Sequence, residues 1–242
     1  MAYIDGFVAA VPAANKQAYA KHAADAAPIF KEFGVTRMVE NWGDDVPDGK
    51  VTDFKGSVQA KPDEVVVFSW MEYPSKVVRD AAGEKMMNDP RMKEMMSAGM
   101  PFDGKRMIYA GFDALVDEGA KGKLGYVDGT LMPVPVANKE AFRAWAATMA
   151  ALFKEYGATR VLDGWGDDVP DGKVTDFKRA VKAEASENVV YSYVEWPDKA
   201  TRDAGWAKLM NDPDMQPTGE MPFDGKRMFW GGFKPIVDTA QG

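Results

Sequence analysis

The sequence predicts an α+β fold in which two copies of a βαββαβ unit lay their sheets against each other as one barrel within a single chain. Three observations carry this. The segment Trp42-Gly-Asp-Asp-Val-Pro-Asp-Gly-Lys-Val-Thr-Asp-Phe-Lys55 returns unchanged at residues 165–178. Within each copy the apolar pattern changes in the order strand, helix, strand, strand, helix, strand. The third strand of each copy is apolar on both faces, so its sheet needs cover on both sides.

The copies align well beyond the repeated block. Tyr3-Ile-Asp-Gly6 falls on Tyr126-Val-Asp-Gly129, and Met100-Pro-Phe-Asp-Gly-Lys-Arg-Met107 on the same eight residues at 221–228. The offset is 123 as far as Met92 and Met215 and 121 from Met100 and Met221, so two residues are missing there and a loop is expected. A period this long is a whole domain; solenoid units run roughly 20 to 50 residues. The polar, glycine-rich stretch at 118–125 reads as a linker between a first repeat at 1–117 and a second at 126–242. Its reach of at most ~28 Å suffices to set the copies side by side.

Taken in order, Tyr3 to Val11 is the first strand, apolar, β-branched and closed by Pro12. A helix follows from Asn15, a good N-cap, to Gly34 at its C′ position. Its apolar stripe of Tyr19, Ala23, Ala26, Phe30 and Phe33 repeats as Phe142, Ala146, Met149, Phe153 and Tyr156. Pro28 falls inside the first of these helices, where Ala151 stands in the second. Thr36 to Gly43 is the second strand and Glu64 to Tyr73 the third. Pro74-Ser75 and Pro197-Asp198 open the second helix of each copy, the first of which runs to about Asn88-Asp-Pro90. Asp103-Gly104 and Asp224-Gly225 turn into the last strands, Arg106 to Phe112 and Arg227 to Phe233.

Two helices cover only one face of a four-stranded sheet, which leaves Phe68 and Trp70, with Tyr191 and Tyr193 opposite, on bare faces. Burying each large aromatic contributes roughly 1.5–3 kcal/mol, so the bare faces are driven together.

Composition narrows the function classes. The chain is 46% hydrophobic and 28% charged, without the run of ~18 apolar residues that a membrane span requires, as expected of a soluble globular protein. No basic segment precedes an apolar one after Met1, so no export is indicated, and the absence of cysteine is compatible with the cytoplasm. It also removes thiol nucleophiles and cysteine-based zinc sites. A net charge of −7, with no concentrated run of Lys or Arg, argues against a nucleic-acid groove.

The Tyr-x-Asp-Gly start, the repeated block and the Met-Pro-Phe-Asp-Gly-Lys-Arg-Met block, at these spacings, resemble the YbaA-like family of small uncharacterised bacterial proteins. The resemblance covers each half nearly end to end. It implies the dimeric α+β barrel superfamily, in which two ferredoxin-like chains form one barrel; here the dimer is fused, giving a pseudo-dimer expected to be a monomer or weak homodimer. Superfamily relatives include cofactor-independent monooxygenases, haem-degrading enzymes and domains without known activity, so the resemblance implies fold more than function.

Four carboxylates within ten residues of Gly43–Phe54 could hold a hard cation, but their spacing is wrong for an EF-hand. A Pro-Asp-Gly turn with solvated acids explains them more simply, and neither metal nor cofactor is expected. Asp5 and Asp128 are more telling, because a carboxylate within a packed strand needs a partner. The expected mates are Arg37 or Arg106, with Arg160 or Arg227 in the second copy. With Tyr3, Trp42 and Trp70, and with Tyr126, Trp165 and Tyr193, they would form a pocket in each repeat for a small molecule, the acid accepting a proton. The simpler reading is a structural ion pair that fixes the barrel interface. Glu72 and Glu195 carry the same two readings. His22, the single histidine, is replaced by Trp145 in the second copy, which disfavours haem chemistry. The methionines Met86, Met87, Met92, Met95, Met96, Met100 and Met107 read as flexible core filling.

Two functions stand: a small-molecule-binding or interaction domain without catalysis, or a monooxygenase-like or isomerase-like enzyme with a pocket in each repeat. An enclosed cavity touching Asp5 and Asp128 would favour the second; a filled interior would favour the first.

Overall fold

A computed structural model of the chain describes residues 2–120, 122, 124–215 and 220–240. The first half runs β1 (Tyr3–Pro12), α1 (Lys16–Glu32), β2 (Arg37–Asp45), α2 (Phe54–Ser57), β3 (Glu64–Tyr73), α3 (Lys76–Asn88), α4 (Pro90–Ser97) and β4 (Ile108–Gly119). The second runs β5 (Tyr126–Pro135), α5 (Lys139–Glu155), β6 (Arg160–Asp168), α6 (Phe177–Ala180), β7 (Glu187–Trp196), α7 (Lys199–Leu209) and β8 (Phe229–Asp238). Strand β4 extends two residues into the stretch read as a linker, of which residues 121 and 123 lie outside the described residues. No helix among the described residues is long and apolar enough to cross a membrane.

The eight strands close a mixed α+β barrel in the order β1-β3-β2-β8-β5-β7-β6-β4. Every ladder is antiparallel. The halves join through β2 with β8 and β4 with β6, and each of these ladders carries two register shifts. A closed barrel leaves no open edge, so backbone donors at the seams are satisfied by the other half.

The bare-face aromatics meet inside the barrel. Phe68 stacks on Tyr191 with centroids 4.5 Å apart and an interplanar angle of 4°, and Trp70 on Tyr193 at 4.0 Å and 13°. Glycine makes room for them: a Cβ at Gly6 would stand 2.8 Å from the Tyr191 ring, and one at Gly129 2.9 Å from Phe68. This is the physical content of the repeated Tyr-x-Asp-Gly start. The Tyr193 hydroxyl is buried here with no hydrogen-bond partner among the described residues. Tyr193→Phe is therefore expected to raise stability by about 1 kcal/mol, read as an increased midpoint in chemical denaturation.

The twice-written block has a larger role than a turn. Asp53 and Asp176 cap α2 and α6 through Gly56 N and Arg179 N. These short helices drive Phe54 and Phe177 into one end of the barrel, edge-on to Phe68 and Phe233 and to Phe112 and Tyr191 respectively. Thr52 donates its hydroxyl to Ala180 O, and Thr175 donates to Ser57 O across 2.7 Å, so each plug is tied to the other. The acids before the plug are not simply solvated. Tyr126 donates to Asp44 and Tyr3 to Asp167, both at 3.0 Å and both between halves.

Two other expectations are corrected. Asn15 does not cap α1 with its side chain; like Asn138 it lies at the end of a short 3-10 turn and donates to a distant carbonyl, Pro101 O, at 2.8 Å. Of the seven methionines expected to fill the core, Met86 packs against it but most do not. Met92 and Met95 are half-buried and Met87, Met96 and Met100 exposed, on and around α4, a helix not foreseen because Asp89-Pro90 reads as a stop. Asp89 instead caps α4, with Pro90 at its first turn, where a missing N–H costs nothing.

Candidate functional site

Alternation along each strand sends one set of side chains into the barrel and the other beneath the helices, and the twelve expected site residues separate accordingly. Arg37, Trp70, Arg160 and Tyr193 lie inside, at the end opposite the phenylalanine plugs. The Arg37 guanidinium donates to both oxygens of Glu195, at 2.7 and 3.0 Å, and to both of Asp238, at 3.0 and 2.9 Å. Arg160 mirrors it, with Glu72 at 2.7 Å and Asp117 at 2.7 and 3.0 Å. Each arginine thus binds acids of the other half, which makes this cluster a lock between halves. Burial raises Glu195 above the usual carboxylate range despite Arg37 and Arg160 beside it.

Asp5 and Asp128 lie on the helix side, and their mates differ from those expected. Asp5 accepts from Arg79 Nε of α3 at 2.8 and 3.1 Å; burial, outweighing Arg79, pushes it up to about 6. Asp128 accepts from Arg202 Nε at 2.8 Å and from the indole N–H groups of Trp196 and Trp206 at 3.0 and 2.7 Å. Burial still raises it. Arg106 and Arg227 sit near the plug end, on Glu64 and Glu187, each bidentate with 2.7 Å contacts. Arg106 holds Glu64 down to about 2, its hydrogen bonds being the main cause. Trp42 and Trp165 pack outside the barrel with Lys16 and Lys139 each 5.2 Å from the ring centre. Tyr3 and Tyr126 make the contacts to the repeated block described above.

Two cavities open between the sheet and the long helices, one per half. The cavity beneath α1 has a volume of about 170 Å³, that beneath α5 about 240 Å³. Both are mainly apolar, and each holds a strand carboxylate: Glu40 of β2 in the first, Asp163 of β6 in the second. Of the twelve expected residues, only Asp128 lines either cavity. His22 is half-buried at the wall of the first.

The two carboxylates occupy equivalent positions in different surroundings. Glu40 Oε2 accepts from the Tyr19 hydroxyl at 2.7 Å and from the Ser69 hydroxyl. Burial raises its pKa against both. Asp163 accepts from the Ser192 hydroxyl, and Phe142 stands where the first half has Tyr19. With only that hydroxyl to oppose burial, Asp163 is pushed up to about 6. A carboxylate poised there is mostly ionised at neutral pH yet basic enough to receive a proton. Among the described residues no group of three or more His, Asp or Glu is placed to hold a metal ion.

Glu40 and Asp163 escaped sequence reading, although a signal existed. In Met38-Val-Glu-Asn-Trp42 alternation puts Glu40 between Met38 and Trp42 on the helix-facing side, and Asp163 repeats the position.

The geometry can be set beside known proteins. The sequence profile of a family described as protein of unknown function, DUF1428, matches residues 2–104 and again 125–225. The chain belongs to the DUF1428 family. Its two matches make it a tandem fusion of what occurs elsewhere as a single unit. Uncharacterized protein YbaA of Escherichia coli strain K12 is 66% identical over 118 residues, which are 49% of this chain and 100% of that one. The Shigella flexneri protein matches to the same extent. Among solved structures, a monooxygenase candidate from Fusobacterium nucleatum aligns at a TM-score of 0.58 and 9% identity, over 98% of this chain and 93% of its own. An anthrone oxidase-like protein aligns at 0.52 and 12%, over 98% and 92%. At these identities the likeness establishes the fold.

Proposed function

We propose that this DUF1428 protein binds a small, largely aromatic molecule beneath its long helices, with a buried strand carboxylate receiving a proton from it. The observation that carries this reading is Asp163: a carboxylate raised to about 6, with one hydroxyl partner, facing an apolar cavity of about 240 Å³. Isolated buried carboxylates are costly, and a site that retains one has a use for it. Removing a proton from a phenolic or enolisable substrate is the first step shared by isomerisation and cofactor-independent oxygenation. The monooxygenase candidate and the anthrone oxidase-like protein of the same fold give that chemistry its context. In this reading the barrel interior is scaffold: its aromatics fill it, and Arg37, Arg160, Trp70 and Tyr193 hold the halves together, while Asp5 and Asp128 anchor α3 and α7.

The two halves, 1–117 and 126–242, are read as ferredoxin-like repeats that replace the subunits of a dimer, so one chain per particle is expected by native mass spectrometry. For the site, the probe is 2-naphthol. Trp145, Trp206 and Trp230 line the larger cavity, so binding is read as saturable quenching of tryptophan fluorescence. Affinity is expected to rise from pH 5 to pH 7.5 as Asp163 ionises and accepts the naphthol hydroxyl, and Asp163→Asn is expected to flatten that dependence. Quenching that never saturates, or that keeps its pH dependence in the variant, contradicts the reading.

A further inference from the structure

We propose that duplication has left two non-equivalent sites: the cavity beneath α5 takes a flat, two-ring aromatic molecule bearing a proton donor, and the cavity beneath α1 excludes it. This rests on the ligand-binding reading above and specifies which half performs it.

The difference is built from a few aligned substitutions. Where the second half has Thr130, the first has Phe7, whose ring lines the smaller cavity and stacks on Tyr109 at 6.5 Å and 24°. A phenyl ring at the wall in place of a hydroxyethyl group acts in the direction of the change from about 240 to about 170 Å³. The space that Thr130 leaves reaches Asp128, a lining residue only in the second half.

The walls differ in stiffness as well as extent. Trp145 and Trp206 of the second half replace His22 and Gly83. Trp206 is fixed by its N–H on Asp128 at 2.7 Å and by Phe153, edge-on at 5.3 Å and 74°. Two indoles and a phenyl ring held this way offer a preformed slot for a planar ring at small entropic cost. In the first half Phe30 keeps the place of Phe153, but His22 and Gly83 stand where the two indoles are, and the flexible Met95 and Met96 join Met92 and Met100, which Met215 and Met221 match in the second half.

The acceptors differ too. Glu40 already takes two hydroxyls on one oxygen, from Tyr19 and Ser69, and Tyr19 occupies the approach from α1. Asp163 takes one, and the place of the second is open because Phe142 has no hydroxyl. A ring hydroxyl entering beneath α5 supplies the missing donor.

Isothermal titration calorimetry with 2-naphthol at pH 7.5, on the full chain, tests this. The wild type is expected to bind one molecule per chain. Thr130→Phe, which copies the first half, is expected to weaken binding at least tenfold. The reverse variant Phe7→Thr/Tyr19→Phe/His22→Trp/Gly83→Trp carries the named features of the second half and is expected to bind two. Two equal sites in the wild type, or an unchanged affinity in Thr130→Phe, would overturn the inference while leaving the ligand-binding reading in place. Absence of binding in every protein, each shown folded by circular dichroism, would remove both.

Discussion

Arg37→Met is expected to cost the fold about 3–5 kcal/mol, the usual penalty for removing one partner of a buried ion pair. Arg37 is wholly buried and donates two hydrogen bonds to Glu195 and two to Asp238. Methionine fills similar space without supplying a charge, so Glu195 is left with Arg160 at 3.4 Å as its remaining cation. The loss arises from the two stranded carboxylates, Glu195 and Asp238, more than from the missing bonds. Arg37→Met/Glu195→Gln should therefore recover part of it, since the second change removes one of the two charges. Urea denaturation of the two variants and of Glu195→Gln closes the cycle. If the single and double variants are equally unstable, the cluster acts through packing and the account of it is wrong. Because the pair spans the halves, the variant should also lose cooperativity between them, seen as separate transitions by tryptophan fluorescence and circular dichroism.

The second large effect has the opposite sign. Asp163→Asn is expected to stabilise the protein at pH 8 by about 3 kcal/mol. In the folded state Asp163 titrates at about 6, against an ordinary 3.8. Since the folded value is raised, protonation favours the fold. Below pH 3.8 the group is neutral in both states and imposes no penalty. As pH rises through 6 the native state holds a charge that burial disfavours, and the penalty is complete above that. The gain from the asparagine should thus be near zero at pH 4, grow between pH 4 and 6, and level off by pH 8. The diagnostic is the difference between the two stability curves, since other groups titrate equally in both proteins. A stabilising substitution at a strand position of both repeats is what a functional residue predicts, because function and stability pull apart at such sites. An asparagine variant that is less stable than the wild type at pH 8 would mean that the carboxylate has a structural partner the account lacks.

How much of this was legible beforehand depends on register. Strand β3 could be read residue for residue, and its two apolar faces led to a barrel because Phe68 and Trp70 had no other cover. The pocket failed at the next step. Placing Asp5 with Trp70 and Arg37 ignores that β1 pairs with β3 so that Gly6, not Asp5, lies opposite Trp70. Once Trp70 points inward, Gly6 does too, and Asp5 points out to Arg79 on α3. A single sequence gives side-chain alternation within a strand but not the cross-strand pairing that fixes which face is which. The repeated block misled for a related reason: its turn residues are visible locally, whereas the burial of Phe54 depends on a barrel end made by the other half. Glu40 and Asp163 went unnoticed because one polar residue in a short strand reads as its exposed face until a helix is known to cover it.

The most direct test of the central claim is a crystal structure of the protein grown with 2-naphthol at pH 7.5. One ring is expected beneath α5, between Trp145 and Trp206, with its hydroxyl within hydrogen-bond distance of Asp163, and none beneath α1. A cavity beneath α5 that stays empty at saturating naphthol, or a ring bound away from Asp163, would contradict it.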